Sequence, residues 1–188
     1  MIYLDNAATS WPKPEAVPEA VARVLREGCG SPGRGGHRPA LEAGRIVEDA
    51  RAALARLFGA GAPDRVALGA NATWALNLAL KGALRPGDHV VRGAGEHNSV
   101  TRPLAALEER GVRVTVVPSS PEAGLDPDGV LYALRPETRM VAAAFASNVT
   151  GALNPVEELG RLCADRGVLF LVDAAQGAGH FPIDLGQT

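Results

Sequence analysis

The pattern of apolar positions changes along the chain, from helical spacing in residues 15–58 to short continuous runs after residue 65. Apolar residues three and four positions apart predict amphipathic helices over residues 15–27, ending at Gly28, and over residues 41–58. The later runs predict strands near residues 66–68, 89–92, 112–117, 140–145 and 168–172, with helices that begin near Thr73, Ser99, Asp126 and Pro155. Residues 28–39 are rich in Gly, Pro and Ser and are predicted to form a loop. This alternation of strand and helix favours an α/β fold with a mainly parallel sheet.

The composition is that of a soluble globular protein. Of the 188 residues, 46% are hydrophobic and 21% charged, with a formal net charge of -2. No basic block suits a nucleic-acid backbone, and no apolar run approaches the roughly 18 residues of a membrane span. Because the amino terminus has neither a cationic start nor a hydrophobic signal core, a cytoplasmic protein is expected. Cys29 and Cys163 give no disulfide framework or metal cluster and are interpreted as buried or incidental thiols.

Asp173 closes the apolar run of residues 168–172. A continuous run of this length is typical of a parallel strand that is covered on both faces, and ligands bind outside the carboxyl ends of such strands. A carboxylate at that point would suit a cationic partner. The alternative is that Asp173 caps the turn that follows it.

The segment 69–74 connects the first predicted strand to a helix through small residues. A helix amino terminus presents free N–H groups and a partial positive charge, so a phosphate can bind there with the Thr73 hydroxyl as an added donor. The alternative is that Asn71 or Thr73 is only the N-cap. The segment lacks the glycine-rich motifs of dinucleotide and nucleoside triphosphate sites.

Two further polar segments, residues 96–99 and 147–151, follow predicted strands. In a parallel sheet these segments meet the others at one carboxyl edge. The side chains expected to gather there are those of Thr73, His97, Asn148, Asp173 and Gln176. Phosphate donors, an imidazole plane, an amide and a carboxylate suit a phosphorylated aromatic heterocycle, and pyridoxal 5'-phosphate fits that set of groups. A lone His97 could instead be a loop or capping residue.

Eight segments, in order, resemble one known family: residues 3–10, 34–37, 71–73, 87–90, 96–99, 147–151, 173–176 and 179–184. The family is the cysteine desulfurase and selenocysteine lyase branch of the class V aminotransferases, which are fold type I pyridoxal phosphate enzymes. The resemblance implies that residues 1–188 are the amino-terminal segment and part of the cofactor-binding large domain. It also implies that the rest of that domain and a small carboxy-terminal domain lie outside this chain.

The resemblance implies a role for each matched residue. Ala72 and Thr73 would hold the phosphate, and His97 would stack on the pyridine ring and move protons. Asp173 would pair with the protonated ring nitrogen, while the ring's oxygen side would be contacted by Asn148 and Gln176. One departure is Trp74, at a position where the family commonly has glutamate.

The activity implied for the full-length protein is that of a pyridoxal phosphate-dependent cysteine desulfurase, which converts L-cysteine to L-alanine and enzyme-bound sulfane sulfur. The alternatives are a selenocysteine lyase, an aminotransferase or an epimerase of the same superfamily, or a noncatalytic binding or dimerisation module. The family also implies a homodimer, to whose interface His37 could contribute, and a protein that accepts the sulfur.

Neither Lys13 nor Lys81 matches the family's Schiff-base lysine. The resemblance places that lysine, the sulfur-accepting cysteine and the substrate-binding arginine beyond Thr188, so the chain is expected to be the amino-terminal portion of a longer enzyme. In fold type I enzymes two later strands insert next to the first strand. The 188 residues alone are therefore expected to have an interrupted sheet, to be inactive and to be poorly stable.

Overall fold

Two amphipathic helices dominate the first of the two units into which the chain divides, Met1–Ala67. The computed structural model describes residues 1–27 and 29–186. Helix α1 spans Ala16–Glu27 and α2 spans Arg38–Leu57, and a short 3₁₀ helix, Pro63–Arg65, follows. Both predicted helices are therefore confirmed, although Gly28, the predicted end of the first, lies outside the described residues. His37 is the N-cap of α2, where its Nδ1 accepts the N–H of Ala40 at 3.4 Å.

The second unit, Leu68–Thr188, alternates helices and strands. Its helices are α3 (Ala72–Ala83), α4 (Asn98–Glu108), α5 (Pro127–Ala133) and α6 (Val156–Asp165). Its strands are β1 (His89–Gly93), β2 (Arg113–Val117), β3 (Ser119–Ser120), β4 (Gly124–Leu125), β5 (Thr138–Ala144) and β6 (Leu169–Asp173). Each of these four helices was predicted to begin within one residue of its observed start or N-cap.

Four parallel strands form the main sheet, in the order β2-β1-β5-β6. The parallel sheet is confirmed, and its described strands pair without a gap. The predicted strand at residues 66–68 is wrong, because that segment pairs with no strand in the described part of the chain and Leu68 is 43% exposed. The antiparallel pair β3-β4 was not predicted, since two-residue strands carry no hydrophobic period.

Apolar side chains cover both faces of this sheet. On one face α3 and α4 pack Leu80 and Leu104 against Val90 of β1. On the other face Val130 of α5 and Leu159 of α6 pack in a second cluster with strand residues that include Val91 and Val141. The central strands β1 and β5 are almost wholly buried, as continuous apolar runs predict. Strand β6 is only partly buried, because it lies at the edge of the described sheet.

A buried histidine joins the three strands β1, β2 and β5. The ring of His89 is fully buried, and its Nδ1 and Nε2 each lie 2.8 Å from a hydroxyl, those of Thr138 and Thr115. Burial, with help from the positive charges of Arg135 and Arg113, lowers the pKa of His89. A neutral ring therefore satisfies both hydroxyls without placing a charge in the core.

All four parallel strands end at the same edge of the sheet, which brings the segments after β1, β5 and β6 to one side. Across residues 1–27 and 29–186, no helix is long and apolar enough to cross a membrane.

Candidate functional site

The amino terminus of α3 provides free backbone donors. Asn71 is its N-cap and accepts the N–H of Trp74 on Oδ1 at 2.8 Å. This bond confirms the capping alternative for Asn71 and places Ala72 and Thr73 in the first turn, where N–H groups have no acceptor within the helix. The helix dipole adds a partial positive charge at the same point. Free N–H groups and a partial positive charge are the features that favour an anion at this position.

The amino terminus of α4 is joined to that of α3 by side-chain hydrogen bonds. His97 is the N-cap of α4, and its Nδ1 accepts the backbone N–H of Ser99 at 3.2 Å. The Ser99 hydroxyl lies 2.9 Å from the same Nδ1 and 2.8 Å from the Thr73 hydroxyl. Ser99 thus links two predicted site residues, Thr73 and His97. Because hydroxyls rotate, these bonds define where the oxygens lie and leave the direction of their protons adjustable.

Ser99 was not predicted as a site residue. It is buried beneath the two helix ends, whereas Thr73 and His97 are exposed. Its position two residues after a capping histidine was the available signal, since a hydroxyl there can reach back to the cap.

A cavity of about 400 Å³ lies between α3 and α4 beside these hydroxyls. Thr73, His97 and Ser99 form part of its wall, and Lys81 and Arg102 add two cationic side chains. With two helix amino termini and two cations around it, this cavity has the electrostatic character of an anion site.

Asp173 is the last residue of β6 and lies at the carboxyl edge, as predicted. Its Oδ1 accepts the N–H of Ala175 at 3.1 Å, so it also stabilises the following turn. The capping alternative is therefore confirmed for this residue too. That hydrogen bond uses Oδ1. The second carboxylate oxygen, Oδ2, can still accept a hydrogen bond from another donor.

Two other predicted site residues follow the same strands. Asn148 is exposed in the turn after β5, where the Ser147 hydroxyl accepts the N–H groups of Val149 and Thr150 at 3.2 and 3.1 Å. Gln176 is partly buried in the turn after β6. The structure therefore joins Thr73 and His97 through the Ser99 hydroxyl, while Asn148, Asp173 and Gln176 share their sheet edge through strand order.

Glu96, directly before His97, is a half-buried acid with an enclosed carboxyl oxygen, and it was not predicted as a site residue. Its Oε1 accepts the backbone N–H of Ala144 at 3.0 Å. Burial is the main cause that raises the pKa of Glu96 to about 7, and the nearby charge of Asp173 contributes. The available signal was its position shortly after an apolar strand. There the chain leaves the sheet interior, and a side chain can still reach back toward it.

The cysteines occupy different environments. Cys163 is buried in α6, as expected, and burial raises the pKa of its thiol to about 11. Such a thiol is protonated at neutral pH and is a poor nucleophile. Cys29 is exposed.

The comparison with known families decides the relationship. The family described as Aminotransferase class-V matches residues 2–188. The chain belongs to this family.

Within the class V family, the chain is similar to proteins named cysteine desulfurases. It is 38% identical to the cysteine desulfurase IscS of Anaeromyxobacter sp. (strain Fw109-5) over 188 residues, covering 98% of this chain and 46% of that protein. It is 36% identical to a probable cysteine desulfurase of Methanothermobacter thermautotrophicus over 185 residues, covering 98% of this chain and 46% of that protein.

The fold is likewise similar to that of a solved cysteine desulfurase. The apo structure of the cysteine desulfurase from Thermococcus onnurineus NA1 superimposes with a TM-score of 0.89 at 31% identity, covering 99% of this chain and 47% of that one. The chain therefore spans about half the length of the curated relatives it matches. The predicted resemblance and its α/β fold are confirmed.

Proposed function

We propose that this chain forms the cofactor-binding part of a pyridoxal 5'-phosphate-dependent cysteine desulfurase. In the full-length protein the reaction would convert L-cysteine to L-alanine and enzyme-bound sulfane sulfur. The observation that carries this proposal is the hydrogen-bonded set Thr73–Ser99–His97 at the amino ends of two helices, on the sheet edge where Asp173 ends β6. The names of the similar proteins support the choice of substrate.

The groups present fit this cofactor. Its phosphate matches the first turn of α3, with the backbone N–H groups of Ala72 and Thr73 and the Thr73 hydroxyl as donors. Its ring matches the imidazole plane of His97, and its ring nitrogen matches the Asp173 carboxylate. The hydrogen bonds of His97 and Asp173 within their own turns use Nδ1 and Oδ1, so the ring face and Oδ2 remain for a ligand.

Each side chain has a distinct task in this proposal. When bound, pyridoxal 5'-phosphate supplies an electron sink through its protonated ring nitrogen. Asp173 keeps the proton on that nitrogen, because an anion stabilises a neighbouring cation. His97 stacks on the ring and moves protons to and from the substrate. Asn148 and Gln176 contact the oxygen on the ring.

The family relationship also supports proposals for partners and location. The full-length protein would be a cytoplasmic homodimer that passes sulfur to an acceptor protein. Its cofactor-anchoring lysine would be neither Lys13 nor Lys81, since Lys81 lies on α3, two turns beyond Thr73, and Lys13 bonds locally to the Thr9 hydroxyl at 3.0 Å.

The first experiment reads the gene beyond the codon for Thr188 and measures the mass of the native protein. A downstream His-Lys motif and a later cysteine-bearing loop would support a desulfurase. A native mass of 19.5 kDa would exclude an anchoring lysine downstream and favour the noncatalytic module.

The second experiment gives the native protein L-cysteine, selenocysteine and ordinary amino acids in turn, with an excess of a dithiol that reduces bound sulfane sulfur or selenium to sulfide or selenide. It then measures alanine and the released sulfide or selenide. The proposal expects alanine and sulfide in equal amounts from L-cysteine. Turnover of selenocysteine alone, or amino-group transfer without sulfide, would assign a different reaction of the same superfamily.

A further inference from the structure

Glu96 occupies a close-fitting niche at the carboxyl end of β1. Its Oε1 accepts the N–H of Ala144, and its Oε2 is enclosed by protein without a hydrogen-bond partner in the described part of the chain. A Cβ atom added at Gly93 would lie only 2.9 Å from Oε1. A carboxyl group held so closely, with one oxygen unsatisfied, is costly to bury and calls for a reason.

The hydrogen bond that Glu96 accepts from Ala144 holds the end of β5, which lies beside Asp173 of β6. Ala144 is the last residue of β5 and pairs in register with Asp173 of β6. The next residue, Phe145, donates its N–H to the Asp173 carbonyl at 2.8 Å. On the other side of the same peptide, the Ala144 carbonyl accepts Nδ2 of Asn154 at 2.6 Å. Glu96 therefore fixes the backbone next to Asp173.

The charges around Glu96 agree with this arrangement. Burial is the first cause that raises the pKa of Glu96 to about 7, and the Asp173 carboxylate on β6 raises it further. The Ala144 N–H and the Arg92 guanidinium, from the strand before Glu96, act in the opposite direction. Near neutral pH Glu96 is therefore partly protonated, which limits its repulsion of Asp173.

We propose that Glu96 is a positioning residue that holds the end of β5 so that Asp173 is aligned for the ring nitrogen of a bound pyridine ligand. This inference rests on the proposed function, in which Asp173 pairs with that nitrogen. Glu96 acts through the Ala144 backbone and needs no contact with the ligand.

The test measures binding of two ligands to the native, full-length protein by calorimetry. Pyridoxamine 5'-phosphate carries an amine instead of the aldehyde, so its binding needs no anchoring lysine. Inorganic phosphate shares only the phosphate group. Because Glu96 supports the ring partner, Glu96→Ala should weaken binding of pyridoxamine 5'-phosphate about tenfold and leave binding of phosphate unchanged.

Variants separate positioning from general stability. Glu96→Gln keeps an acceptor for Ala144 and should restore affinity to within about threefold of the wild type. In a background with Asp173→Ala, adding Glu96→Ala should cause no further loss, because the two residues act in series. Glu96→Asp, too short to reach Ala144, replaces Glu96→Ala if that variant does not fold. Glu158→Ala, at an exposed position on α6, is the matched control.

The outcomes distinguish this inference from the proposed function. If the wild type binds phosphate but not pyridoxamine 5'-phosphate, both fall. If the wild type binds the pyridine ligand and Glu96→Ala binds it equally well, the positioning role alone is overturned. An equal loss for both ligands, or an undiminished further loss beside Asp173→Ala, would also overturn it.

Discussion

Replacing Glu96 with glutamine should change how the stability of the protein depends on pH. Glutamine keeps the acceptor that Ala144 N–H uses and removes the only part of Glu96 that titrates. Because the pKa of Glu96 is raised to about 7 in the folded chain, the folded state holds this proton more tightly than the unfolded state does. The wild type should therefore lose stability as the pH rises, and the variant should not show this loss.

The size of the effect follows from the pKa. A rise from 4.5 to about 7 corresponds to about 3 kcal/mol, at roughly 1.4 kcal/mol for each pKa unit. The protonated form contributes its full stability below pH 4.5 and loses it as the pH approaches 7. Relative to the wild type, Glu96→Gln should therefore gain about 3 kcal/mol between these two pH values.

Urea unfolding of the apo protein at several pH values between 4.5 and 7 measures this difference, provided that the transitions are two-state with equal slopes. The contributions of other titrating groups, including His89, to the free energy of unfolding cancel when the two proteins are compared at the same pH. Glu158→Gln, an exposed position on α6, should track the wild type throughout. A constant difference between Glu96→Gln and the wild type across this range would refute the argument that the pKa of Glu96 is raised in the folded protein.

Three further substitutions test separate parts of the molecule. His89→Ala removes two buried hydrogen bonds and should lower the free energy of unfolding in urea by about 2–5 kcal/mol, whereas exposed His180→Ala should not change it. Because the pKa of His89 is lowered in the folded state, the stability that the neutral ring contributes is present above the pKa of the unfolded state. That stability is lost as the pH falls below this value. Ser99→Ala breaks the link between Thr73 and His97 and should weaken phosphate binding by roughly three- to tenfold in calorimetry, while exposed Ser120→Ala leaves it unchanged. Asp173→Asn keeps the acceptor for the Ala175 N–H but removes the negative charge. Alanine formation by the native protein should therefore fall about a hundredfold, with a smaller loss of cofactor affinity. Activity equal to that of the wild type would contradict the role given to Asp173.

The sequence predicted the elements that bury a continuous face and missed those that depend on a distant partner. Strands β1, β5 and β6 follow from apolar runs, because two helical layers cover the sheet. Residues 66–68 have the same apolar character but no paired strand beside them, so they are not a strand in the described chain. Local composition cannot report whether a neighbour is present, since a strand is defined by its hydrogen bonds to another segment.

The same limit applies to the candidate site. Strand order was enough to bring His97 and Asp173 to one edge, because the carboxyl ends of parallel strands coincide. Thr73 follows no strand in the described chain, and its hydrogen bond with Ser99 links it to the same site. The contacts that position these side chains run through Ser99 and Glu96, whose partners are 26 and 48 residues away in the chain. Local sequence could mark a hydroxyl near a helix cap or an acid after a strand, but it could not identify partners so far away in the chain.

For His97 and Asp173, capping and ligand binding are compatible because they use different atoms. His97 caps α4 through Nδ1, and Asp173 supports its turn through Oδ1. Each bond stabilises the local structure, and it also limits the orientation of the side chain before a ligand arrives. Since ordering a free side chain costs about 0.5–1.5 kcal/mol on binding, a residue already held by its cap presents its remaining surface at a lower cost. The capping positions at strand ends are therefore favourable places for cofactor-binding side chains.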